Sequence, residues 1–217
     1  MGDPELPVPR RGDVLFTGVR AAWHLDALLD YGQNNDYAYR QGYRRAGRIL
    51  TEHAAREREV DLLVFPICHA YRHFTELALK RLIFAGCKVV GREMTKAEAK
   101  LQGEKHNLAA LWAAFKVIEK EVSAQTGIDS PPPEQMDGIE AYIEQLHAVD
   151  EGSFSFRYAL TKTGEVSLGE LKRINLGNFS DLMERLCDYL DGFDMYYGEL
   201  IQQAHDMYGE MNEHGEY

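Results

Sequence analysis

Apolar and polar positions repeat along most of this chain at the period of an α-helix. From Asn35 to about Arg58, Tyr39, Tyr43, Ala46, Ile49, Leu50 and Ala54 fall on one stripe, and Asp36 suits the helix start. A second helix is expected from about Leu62 to Ala85, with Pro66 tolerated near its first turn and Gly86 as a C-terminal stop. In HNLAALWAAFKVIEKEV, a third helix turns Leu108, Leu111, Trp112, Phe115, Ile118 and Val122 to one side. The triple proline of DSPPPEQMDG ends it, and a fourth helix follows to about Val149. A last long helix starts near Asn178 and carries Leu182, Leu186, Tyr189, Phe193, Tyr196, Leu200, Ala204 and Met207. Gly192 and Gly198 are expected to interrupt it.

Between these helices the pattern weakens. Residues 87–104 are polar and mixed, which predicts a short extended piece followed by a marginal helix. The stretch EGSFSFRYALTKTGEVSL alternates over short distances and reads as a loop or a short hairpin. No internal repeat is visible. The fold class is therefore all-α: a bundle of about five main helices with a polar insertion between the second and third. Three parts follow: a lead-in over 1–34 with a short helix near Trp23, a bundle over 35–211 with its insertion at 88–105, and an acidic tail at 212–217.

The length of 217 residues suits one such domain and a core that needs neither disulfide nor metal. Three cysteines, Cys68, Cys87 and Cys187, are odd in number and form no CxxC pair, which favours a reducing compartment. The N-terminal MGDPELPVPRRGD lacks an apolar signal region, and no apolar run is long enough to span a bilayer. The expectation is a cytoplasmic protein without a membrane partner, with an extended, poorly ordered lead-in. Net charge is −11, and residues 181–217 hold ten acidic side chains against Arg185 alone, so the rest of the chain is close to neutral. Contact with nucleic acid would have to be local.

The stretch PICHAYRHFTELALKRLI raises the main chemical question, because His69, Arg72, His73, Glu76 and Lys80 recur at spacings of three or four along an otherwise apolar helix. One reading is a solvated face with ion pairs one turn apart. A second is a metal site on His69 and His73 with Glu76 nearby, but no second ligand cluster presents itself, so no metal is assigned. A third is a polar cleft in which Arg72 and His73 face His106 or Arg157. In DYAYRQGYRRAGR, Arg40, Arg44 and Arg48 lie four apart, with Arg45, Tyr39 and Tyr43 alongside. That face can grip phosphates and stack on bases, or its arginines can pair with the acidic C-terminal helix. Asp150, Ser153, Arg157 and Tyr158 share one loop, in which an Arg157–Asp150 pair would be structural. No phosphate-cradling glycine loop, dinucleotide fingerprint or Gly-x-Ser-x-Gly elbow is present, and no cofactor is expected.

FPICHAYRHFTELALKRLI, followed by KHNLAALW and then DEGSFSFRY, resembles the HEPN superfamily, in particular bacterial and phage-associated members with YRHxxELxLK and KHxLxxLW helices. The resemblance covers about residues 60–190. It implies a helical bundle, often a homodimer, acting in defence, toxin–antitoxin, stress or RNA-processing systems. Active members cut RNA without metal, using arginine and histidine spaced R-x4-6-H. Here the one such spacing, Arg48–His53, lies in an early helix, and none stands where the family carries it. Either cleavage is lost, or Arg72, His73, His106 and Arg157 rebuild it from separate helices. The binding set is Arg40, Arg44, Arg48, Glu76 and Tyr158. The expected role is RNA binding or weak cleavage at an Arg/His cleft. The alternative is a non-catalytic dimeric module that regulates a protein partner.

Overall fold

The computed structural model describes residues 9, 11–18, 20–29, 35–104 and 106–214. The lead-in expected to be extended lies, up to residue 8, outside them. Contacts divide the chain into two units, Met1–Asn35 and Asp36–Tyr217. In the first, Arg20–Leu25 forms a short 3-10 helix kinked at Ala22. The remainder is all-α, in six helices: α1 (Asn35–Glu57), α2 (Val60–Val89), α3 (Lys96–Glu104), α4 (Leu108–Thr126), α5 (Pro133–Val149) and α6 (Leu176–His214). The nine-residue α3 in the polar insertion brings the number above the five main helices expected. Among the described residues no strand forms, and the loop between α5 and α6 carries one isolated antiparallel bridge, Leu160 to Val166. No helix among the described residues is long and apolar enough to cross a membrane.

Helix α2 is the core element. Ile67, Tyr71, Phe74, Leu79, Leu82 and Ile83 are buried, and α4 and α6 pack on it while α5 packs on α4. The local start and stop signals are plain at α4, where Asn107 Oδ1 accepts the Ala110 N–H at 2.8 Å and Gly127 ends the helix with φ +70. Pro133 opens α5, as a proline at the first helical position should.

Three expectations change. Gly86 does not stop α2, which runs on to Val89. Its missing side chain is a packing notch instead: a Cβ there would stand 2.1 Å from Ile118 Cγ2 of α4. Gly192 and Gly198 do not interrupt α6, because both are exposed and the apolar stripe on either side binds the helix to the core. Each glycine costs about 1 kcal/mol, which that burial outweighs. On α1, Tyr39 and Ile49 are exposed although the periodicity placed them on the inner stripe, and Arg40 and Gly47 are buried instead. Gly47 lies against the Tyr71 ring, where a Cβ would meet Cε2 at 2.8 Å.

Gly86→Ala is expected to lower stability by about 1–3 kcal/mol through overpacking against Ile118. Gly42→Ala, on α1 with nothing within 4 Å, should raise it by up to about 1 kcal/mol. Urea unfolding midpoints of the two variants measure the difference.

Candidate functional site

The polar stripe of α2 faces inward. Arg72 is 0% exposed. Its Nη1 donates to Glu76 Oε2 at 2.9 Å, its Nε to the Asp150 carbonyl at 3.1 Å, and its Nη2 to the His106 carbonyl. Asp150, also fully buried, keeps Oδ2 3.3 Å from Nε, while its Oδ1 accepts the N–H groups of Phe154 and Ser155. Glu76 Oε1 accepts from Lys80 Nζ at 3.0 Å and from His106 Nδ1 at 2.8 Å. Burial works to raise the Glu76 carboxyl, but the hydrogen bonds from Lys80, His106 and Arg72 outweigh it and hold the group below its usual value. One guanidinium thus joins α2, the entry to α4 and the loop after α5. Neither a solvated face nor an open cleft describes Arg72.

Around this sealed centre lie imidazoles that do reach the surface. His69 and His73 stand one turn apart on α2, with rings stacked at 5.7 Å and 19°, and Tyr43 of α1 sits edge-on to His73 at 4.4 Å. Both rings are half-buried, and each Nδ1 is buried without a partner. Burial first, then the nearby Arg157, lowers the His69 pKa; burial also lowers that of His73, with Glu76 opposing. Both rings are therefore neutral at pH 7. The His106 side chain is 49% exposed and anchored through Nδ1 to Glu76.

Arg157 is exposed and donates to the Ser153 carbonyl; the expected Arg157–Asp150 pair does not form because Arg72 occupies Asp150. Ser153 itself takes the left-handed φ of +57, held by its N–H on the Asp150 carbonyl. Tyr158 is exposed and stacks on Phe154 at 4.5 Å, with the Arg157 guanidinium 5.7 Å from its ring. Among the described residues no group of three or more His, Cys, Asp or Glu is placed to hold a metal ion. The three cysteines are buried and free, and burial pushes the Cys68 thiol up to about 12.

The arginines of α1 divide. Arg40 is 2% exposed and meets Asp36, Asp191 and Asp194 at 2.6–3.3 Å. Arg44 meets Glu184, Asp188 and Asp191 at 2.5–2.9 Å. Both are spent on the acidic face of α6. Arg45 and Arg48 are exposed.

An open groove of about 890 Å³ lies between the start of α2 and the loop that follows Asp150. Arg157, Lys172 and Arg173 are its cations, Asp61 its lone carboxylate, and Phe65, Phe156 and Tyr158 its aromatic walls. Of these, sequence reasoning singled out Arg157 and Tyr158. Lys172 and Arg173 carried no periodic signal, and nothing along the chain placed them opposite α2. No family model matches the chain, nor does any curated protein or solved structure.

Arg72→Met leaves Asp150 buried without its cation and Glu76 Oε2 without its donor, and should cost about 3–5 kcal/mol, read from urea midpoints. Acid should weaken the fold in two stages. His69 and His73, held below 6.5, contribute stability that is complete above that pH and lost as pH falls through their folded values. Glu76, and Glu98 at about 2, lose theirs only below 4.5. Thermal melts between pH 8 and 5 should show the first stage, and His69→Gln/His73→Gln should flatten it.

Proposed function

We propose that this chain is a HEPN-like helical protein that binds single-stranded RNA in the groove between α2 and the loop after Asp150, without cutting it. The observation that carries this reading is the charge of the groove. A protein of net charge −11 lines one concavity with three cations against a single carboxylate, and sets aromatic faces among them. Cations that follow a backbone and aromatic rings on which bases stack are what single-strand binding requires. Cleavage is set aside because Arg72, the arginine that would face a developing phosphate charge, is sealed beneath the surface, and no R-x4-6-H stands where active relatives carry it.

A second reading is a non-catalytic dimeric interaction module. Leu62, Leu160 and Val166 near the groove are 54–72% exposed, and exposed apolar clusters of this kind mark protein contacts.

Fluorescence anisotropy with a labelled single-stranded oligoribonucleotide of about twelve nucleotides separates the two. Under the RNA reading, Arg157→Ala/Lys172→Ala/Arg173→Ala lowers affinity by about tenfold or more. It also reduces the salt slope by about two. Arg45→Ala/Arg48→Ala leaves affinity unchanged. No binding, or equal binding by the triple variant, overturns the RNA reading; dimerisation that Leu62→Asp abolishes would then favour the interaction module.

A further inference from the structure

We propose that His69 and His73, with Arg157 beside them, form a phosphate-binding subsite next to the groove that takes up a proton when an anion fills it. As a subsite of the bound strand it rests on the RNA reading above, but its chemistry can be tested without RNA.

The geometry comes first. The two rings lie nearly parallel, one helical turn apart, so their outward edges point the same way. Each buries Nδ1 where no donor or acceptor meets it. A neutral imidazole carries one N–H, and the form that leaves it satisfied places that hydrogen on Nε2, toward solvent. The pair therefore offers two outward donors without a permanent charge. His106 is the reverse: its Nδ1 is committed to Glu76, and it is a separate group.

The surroundings favour an anion. The groups that act on the pair are Tyr43 from α1, Arg72 and Glu76 from α2, His106 ahead of α4, and Asp150 and Arg157 from the end of α5 and its loop. Both carboxylates among them are already engaged. Asp150 holds Arg72 and two backbone N–H groups, and Glu76 holds Arg72, Lys80 and His106. Glu76 has both oxygens taken, and Asp150 Oδ2, which accepts no hydrogen bond, is fixed 3.3 Å from Arg72 Nε. Arg157 leaves only its Nε on the Ser153 carbonyl, so the rest of its fork can serve an incoming oxygen. Because Arg157 also lines the groove, a strand seated there would bring a phosphate beside the pair. A phosphate would favour the imidazolium that the empty site disfavours, so filling the site raises the proton affinity of the rings.

Ring-proton NMR titrations with inorganic phosphate test the subsite directly, and the same oligoribonucleotide tests its place in RNA binding. Phosphate should raise the midpoints of His69 and His73 by about one pH unit, and RNA affinity should tighten about tenfold per linked proton as pH falls from 8 to below 6. His73→Gln, checked for a normal melt, should remove much of that pH dependence, and His69→Gln/His73→Gln all of it. Unmoved midpoints together with pH-independent RNA binding overturn the subsite and leave the groove reading intact. Midpoints that rise with phosphate in a protein that binds no RNA sustain the subsite and overturn the groove reading.

Discussion

Arg72 has no solvent to fall back on, and the bundle is arranged around that constraint. A guanidinium taken out of water must have its N–H groups met, and here Glu76 from its own helix, the His106 carbonyl ahead of α4 and the Asp150 carbonyl and carboxylate beyond α5 meet them. Those partners come from three places in the chain, so the ion network fixes where α4 begins and where α5 ends. The loop after Asp150 inherits its starting direction from the same residue, whose Oδ1 accepts the N–H groups of Phe154 and Ser155. The groove is thus a secondary product of a buried charge.

A second charge system works differently. Arg40 and Arg44 bridge α1 to α6 against more carboxylates than there are cations, and Arg81 adds another contact to Asp194. This joint absorbs much of the acidity that the sequence concentrates near its end. It also commits Arg40 and Arg44, so the groove draws its charge from Arg157, Lys172 and Arg173 instead.

What could be read in the chain was whatever has a local cause. Helix positions followed from apolar spacing, the triple proline marked the break between two of them, and the pairing of arginines with the acidic helix was one of two readings open for α1. Gly86 misled because a glycine that ends a helix and a glycine that admits a neighbouring helix look alike until Ile118 is in place. Arg40 misled because its burial depends on carboxylates some 150 positions away. The same distance hid the site. His69, Arg72 and His73 were conspicuous, yet only the arrival of Asp150 and His106 decided which of them is sealed and which touches water. Lys172 and Arg173 acquire meaning only from what stands across from them.

The length of α6 has a mechanical consequence. Its 39 residues make a rod of about 58 Å, against about 28 Å for the 19 residues of α4. A rod twice as long as the helix beside the same core must project past it. Bending the far end therefore loads the Arg40 and Arg44 ion pairs near its middle like the fulcrum of a lever, and whatever grips that end gains leverage over the joint.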